Sequence, residues 1–454
     1  MIKQSFSRLV GIFLPVTVYF VSPSIGPRHL SHIIITAIFF MYYISLRIAY
    51  LSKRNLLDIF LSINYLFFYV SSGIAVIAME LQQVRLKLDW AFPLTNMYTS
   101  LCFSIFSLLI IEFAYLKFLN VLPLKVTTLF KPVSNSAISK LSLISIGLSS
   151  IYFSLVPIRS ILNSRASAFA SLNSSFSNDS GQAAIGLLVA FTKIAPLCLG
   201  AYILLNRRAR QQNFKLLDYL AIFPSIIAIN PISSARYVFL ILVVTLGCAV
   251  IRVKTDFHSE FYVYAGIILA ILVFPNLDFA RNESGAFKFL TFSESLNKVA
   301  NKDFDQVPMG ALALQTINSD IAPIGSQFIG ELGFWIPRKY WESKPFDTSI
   351  LIARKNGMSN TNLSMPLWAE GWSSFRYIGL ILYPFLLGIF AARIRNASNL
   401  NLGSKGMYFF LTGSVFILQR GPLLQATGIV AFGILTFHIL GRLERFYQAK
   451  ELNI

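Results

Sequence analysis

The chain has 454 residues, 55% of them hydrophobic and only 13% charged, with 39 lysines and arginines against 20 acids. A water-soluble globule carries about 25% charged residues, so a soluble enzyme is excluded, and the 41 phenylalanines exclude a disordered or collagen-like chain, both poor in large apolar side chains. The net charge of +19 would suit nucleic acid only if it were gathered on one soluble face; by position it is not, and no nucleic-acid partner is expected.

About 20 apolar residues are needed to cross the roughly 30 Å hydrocarbon core of a bilayer. Apolar runs at about 9–22, 30–50, 57–79, 97–116, 141–157, 183–205, 216–230, 237–251, 261–275, 375–393, 406–418 and 422–441 predict an all-α polytopic integral membrane protein, with about 12 transmembrane helices in a lipid bilayer. The run at 406–418 is the least regular, because Gln419-Arg420-Gly421-Pro422 interrupts it; a thin, tilted or broken helix is expected there. Lys3 and Arg8 precede the first run, but 22–27 offers no small-residue cleavage site, so this run is expected to stay as an anchor.

Loop charge tests the assignment independently. One alternate set of loops holds 21 cations, whereas the short loops of the other set hold seven: Arg28, Arg85, Lys87, Arg159, Arg165, Arg236 and Arg420. The bias predicts a multi-pass protein with both termini in the cytoplasm. Three parts follow: residues 1–275 with nine spans and a Ser/Asn-rich outer loop at 158–181, a large outer loop at 276–374, and residues 375–454 with three spans and a cytoplasmic C-terminus.

Cys102, Cys198 and Cys248 lie inside apolar runs and the four histidines are scattered, so neither disulfides, a metal site nor a cofactor is expected. No repeat relates the two halves, which argues against a transporter built on inverted repeats. Within the large loop, 276–306 is polar, 307–336 is half apolar, and 337–374 concentrates cations and tryptophans. Four of the five tryptophans, Trp335, Trp341, Trp368 and Trp372, fall in this loop; an interfacial aromatic belt and ligand stacking explain that equally well. The stretches 309–317 and 330–335 are expected either to lie along the bilayer surface or to pack on the spans.

The string from Gly333 to Pro345, with its Pro-Arg-x-x-Trp-x-x-Lys-Pro spacing, and Asn362-Leu-Ser-Met-Pro-Leu-Trp-Ala-Glu370 resemble the oligosaccharide repeat-unit polymerases, the Wzy-type O-antigen polymerases. The resemblance covers about 325–390. It implies a GT-C-like membrane glycosyltransferase architecture in the bacterial inner membrane. The implied activity joins undecaprenyl-diphosphate-linked oligosaccharide units on the periplasmic face, alongside a chain-length regulator protein. An O-antigen ligase and a polysaccharide flippase or other transporter are the alternatives.

A lipid diphosphate leaving group develops negative charge that arginine and lysine stabilise. Arg159, Arg165, Arg236, Arg338, Lys344, Arg376 and Arg420 are therefore the candidate diphosphate and sugar contacts, with Trp341 and Trp368 for sugar binding; for each cation, headgroup contact or a structural pair is the alternative. Transfer also needs a base within reach of the acceptor hydroxyl. Glu370 is the first candidate, paired in the catalytic assignment with Arg338, while Asp320 and Glu331 stand in reserve; an ion pair of Glu370 with Arg338 or Arg376 is the structural alternative. Asp303-Phe304-Asp305 matches a metal-holding DxD but is read as incidental, since nucleotide-sugars are absent from the outer face. Lys193 and Glu112, inside spans, are left unassigned.

Overall fold

The computed structural model describes residues 94–121, 132–163, 179–250, 305–358, 363–397 and 401–452, with a few isolated positions besides. The expected spans at 9–22, 30–50 and 261–275 lie outside the described residues, as does nearly all of 57–79. Among the described residues the structure is helical with no strand. Five helical segments are long and apolar enough to cross a membrane: Thr99–Leu119, Asn135–Leu155, Ile185–Ala209, Tyr377–Asn396 and Leu423–Tyr447. The chain is thus an α-helical, multi-pass membrane protein.

The membrane-length helices are α1 (Leu94–Val121), α2 (Asn135–Leu155), α4 (Asp179–Ala209), α11 (Tyr377–Ala397) and α13 (Leu423–Leu452); the short α3 (Ile158–Asn163) follows α2 across Pro157. The Ser134 hydroxyl caps α2 by accepting from the Ala137 N–H, one of the donors a helix start leaves free. Arg207 and Arg208 close α4, where cations complement the helix dipole. The expected spans at 216–230 and 237–251 appear as shorter apolar helices, α5 (Leu216–Ala228) and α6 (Arg236–Val250).

The irregular run at 406–418 resolves into one continuous 19-residue helix, α12 (Leu402–Arg420). Most of its residues are buried, and it packs on α4, α6 and α13, as a helix apolar on all sides must. Its break comes only at Gly421-Pro422, where the Pro422 carbonyl accepts from Gln425 and Ala426 to open α13.

Polar ties fix which helix ends lie together. At one end Arg207 and Asp218 form a fully buried pair at 2.8 Å, joined by Asn135 and Ser142; Arg208 donates to the Ala249 carbonyl, and Glu444 accepts from Leu402 and Gly403 N–H. The opposite helix ends meet the segment between α6 and α11. That segment folds into α7 (Gln306–Thr316), α8 (Ser326–Leu332), α9 (Thr348–Lys355) and α10 (Leu367–Phe375). Ser100 of α1 donates to the Val307 carbonyl at 2.7 Å and Met365 N–H to the Arg420 carbonyl at 2.7 Å. The Arg207 group and the 305–376 segment therefore occupy opposite ends of the bundle.

Of the two stretches with alternative readings, 309–317 falls in α7, which is almost wholly buried against α1, α9 and α10. Packing on the spans wins there. Around 330–335 the outcome is different: Ile329, Leu332 and Trp335 are more than half exposed, as are Tyr377 and Ile378 at the start of α11.

Candidate functional site

The Pro-Arg-x-x-Trp-x-x-Lys-Pro string folds back on itself. Arg338 donates to the carbonyls of Lys344 and Pro345, and its guanidinium lies 4.0 Å from the Phe346 ring centre, with Arg354 at 4.1 Å from the same ring. Lys344 donates to the carbonyls of Phe334 and Ile336, both at 2.8 Å. Partial burial lowers both cations' pKa, helped by Arg354 at Arg338 and by Arg338 at Lys344. Trp341 donates to Ser343 at 3.1 Å, and its ring takes the place a Cβ on Gly333 would need. These cations close a loop on main-chain acceptors.

Arg376 is bound in the same way. It holds φ at 54° in the turn between α10 and α11, and its guanidinium reaches the carbonyls of Trp372, Ser373 and Ala322. Gly371 and Gly379 let the two helices touch at this turn, since a Cβ on either would strike the other's backbone. Burial lowers the Arg376 pKa. The backbone strain at a non-glycine left-handed residue is offset by these three carbonyls.

Three carboxyl groups from three elements of this segment are buried within electrostatic reach of one another. Glu370 of α10 accepts from the Thr348 hydroxyl at 2.8 Å and from the Leu423 N–H at 3.4 Å; neither Arg338 nor Arg376 pairs with it. Asp347 caps α9, accepting from the Ser349 N–H at 2.9 Å and hydroxyl at 2.8 Å, and the Gln425 side chain also bonds its carboxylate. Glu331 of α8 accepts from the Tyr383 hydroxyl at 2.8 Å, Tyr383 stands 2.7 Å from the Ser374 hydroxyl, and Glu331 Oε1 has no partner.

Burial first, then the charges of Asp347 and Glu331, push Glu370 well above the usual carboxylate range. Burial also raises Asp347 against the opposing bonds of Ser349 and Gln425. Glu331 is pushed up to about 8 by burial, with Asp347 adding and the Tyr383 bond opposing. Burial and the two neighbouring carboxyl groups thus favour the protonated form of Glu370, which works against it as a proton acceptor. Glu331 titrates near neutrality with one free oxygen, which is what a general base requires.

A second polar cluster joins the start of α7 to the end of α12. Asp305 pairs with Arg420 at 3.3 Å and accepts from the Ser364 hydroxyl at 2.5 Å. The second aspartate of the DxD is thus an organised residue, whereas Asp303 lies outside the described residues. Trp368 is fully buried, its ring edge-on to Phe103 at 5.5 Å and its N–H donating to Ser104 at 3.0 Å, so it anchors α10 to α1.

The remaining expected residues are apart from these groups. Arg159 is exposed on α3, Arg236 opens α6, and Arg165 lies outside the described residues, as does most of the Ser/Asn-rich run. Asp320 accepts from Asn318 in an exposed turn. Lys193 donates to Ser234 at 2.8 Å. Sequence reading passed over Asp347 and Tyr383. The first had a readable signal, an Asp-Thr-Ser helix start ahead of Ile-Leu-Ile; the second is one of 19 tyrosines and had none. Among the described residues no group of three or more His, Cys, Asp or Glu is arranged to hold a metal ion.

No family model, curated protein or solved structure matches this chain.

Proposed function

We propose that the chain is an integral-membrane glycan polymerase of the bacterial inner membrane, joining lipid-diphosphate-linked oligosaccharide units at the periplasmic face, with Glu331 as the proton acceptor. The supporting observation is Glu331 itself: a carboxyl group shifted to about 8, fixed on one oxygen by Tyr383 and unpartnered on the other, in the segment whose sequence carries the polymerase resemblance. In the transfer step an acceptor sugar hydroxyl gives its proton to Glu331 Oε1 while its oxygen bonds to the donor's anomeric carbon. The bond from that carbon to the diphosphate breaks, and the electron pair leaves with the lipid diphosphate.

The cations take a different part from the one the sequence suggests. Arg338, Lys344 and Arg376 hold the segment in shape through main-chain carbonyls, and their summed positive field attracts an anionic headgroup to it. Glu370, bonded to the Thr348 hydroxyl and the Leu423 N–H, ties α9, α10 and α13 together. The test is deletion of the gene, complementation with Glu331→Gln, and mass analysis of lipid-linked and surface glycans. A polymerase predicts single repeat units on the lipid A core in both strains. Long polymer retained on the carrier lipid would indicate a ligase instead, and unchanged glycans would refute both readings.

A further inference from the structure

Asp305 stands at the N-cap of α7, yet its carboxylate bonds no helix N–H. It turns instead to Ser364, Arg420 and the Gln306 amide nitrogen, the last at 3.5 Å. Gln306 is wholly buried and its Oε1 has no partner. Across the contact, on the helix turn that carries Arg420, Gln419 is also wholly buried with neither amide atom bonded. Natural interiors satisfy nearly all buried polar atoms, so three open amide positions beside one ion pair call for a partner.

We propose that Asp305, Gln306, Gln419 and Arg420 form a binding site for the hydroxyl groups of a neutral saccharide. The charges exclude the alternative of a phosphate site: Asp305 already neutralises Arg420 at 3.3 Å, and a carboxylate in the site repels an anion. Amides both donate and accept, as sugar hydroxyls do, and a few convergent polar groups on an apolar wall are how such ligands are oriented. Asp305 and Arg420 are each about one-fifth exposed, which gives the cluster an opening, while the amides lie beneath.

Position strengthens the assignment. Met365 N–H bonds the Arg420 carbonyl at 2.7 Å, and three residues on, Leu423 N–H bonds Glu370. The turn 420–423 and the segment 364–370 therefore form one wall with the saccharide cluster toward its start and the carboxyl group toward its end. This inference rests on the glycan-polymerase reading, for which it supplies a sugar subsite.

The test uses the full chain in lipid nanodiscs. Two probes are compared in binding titrations: the free oligosaccharide released by mild acid from the source cell's lipid-linked pool, and inorganic diphosphate. Gln306→Met and Gln419→Met each remove a buried partner, so each is expected to weaken oligosaccharide binding by about tenfold or more, with diphosphate binding unchanged. Should a methionine variant not accumulate, Asp305→Asn is the second variant: a saccharide site predicts weaker oligosaccharide binding, whereas tighter diphosphate binding would overturn the proposal. Unchanged oligosaccharide affinity in these variants would also overturn it. Because binding is read without turnover, normal glycans in the deletion strain would refute the polymerase reading and leave this result to be judged separately.

Discussion

Tyr383→Phe is the most direct probe of the proposed proton acceptor, because it deletes a single oxygen atom. The Tyr383 hydroxyl lies 2.8 Å from Glu331 Oε2 and opposes the burial that lifts Glu331 to about 8. A hydrogen bond to a charged group contributes about 1.5–3 kcal/mol, and 1.36 kcal/mol corresponds to about one pH unit. Loss of the bond therefore moves the Glu331 midpoint upward by about one to two pH units. At pH 7 a midpoint of about 8 leaves roughly one molecule in ten ionised; the variant would leave about one in a hundred to one in a thousand, with a matching fall in rate. The assay is polymer formation in nanodiscs from purified lipid-linked oligosaccharide between about pH 6 and 10, where a base of this kind gives a rate that rises with pH to a plateau. Tyr383→Phe should shift that rise to higher pH and restore most of the plateau rate. A variant that loses rate equally at every pH, or whose midpoint stays in place, would show that Tyr383 supports packing only and that Glu331 is not the titrating group.

Glu331→Gln should abolish polymer and also flatten the pH dependence of stability: with the folded value raised from 4.5 to about 8, the native protein loses stability as pH climbs between those values, which thermal unfolding in nanodiscs can follow. Arg338→Ala should lower unfolding resistance by about 1–3 kcal/mol through its carbonyl bonds and its stacking on Phe346, and Arg338→Lys should recover little of it because lysine lacks the planar fork; full stability in Arg338→Ala would remove the loop-closing role. Breaking the buried Arg207–Asp218 pair by Asp218→Ala should cost about 3–5 kcal/mol, read as loss of folded protein from the membrane, with Arg207→Met plus Asp218→Leu milder than the single change. Trp335, Ile329 and Leu332 are exposed apolar groups, so bromine-labelled lipids should quench native fluorescence more than that of Trp335→Phe; equal quenching would place this edge in water.

What the sequence made readable follows from how each feature is encoded. A span is written as a long uninterrupted run, so the apolar centres of α1, α2, α4, α11 and α13 were legible, whereas their polar ends, such as the last turns of α13 to Leu452, were not. The interruption expected at Gln419-Arg420-Gly421-Pro422 falls at the end of α12, whose helix stops at Arg420, whereas its start at Leu402 was not legible because Lys405 and the glycines there dilute the hydropathy. Cations stood out in outer loops, but a charge's presence carries no record of its partners. Arg338 and Arg376 bind carbonyls supplied by the chain itself, which only folding brings within reach. Glu331 was visible as a reserve, while the contact on which its proposed role as base rests comes from Tyr383, 52 positions away.

The carboxyl groups also divide their work in a way that burial alone dictates. Three acids brought together in a water-poor region cannot all ionise, because each charge opposes the others. Glu370, most buried and flanked by the other two, is pushed furthest toward its protonated form, and it bonds the Thr348 hydroxyl and the first N–H of α13. Glu331, at the edge of the group and steadied by Tyr383, is the member that can release and regain a proton near neutrality. Environments that separate the pKa values of neighbouring acids are how catalytic sites assign acid and base roles. On the proposed reading the separation makes one carboxyl group a fixed brace and the other the proton acceptor, and the brace is bonded to the same turn, 420–423, that carries Arg420 and the proposed saccharide cluster.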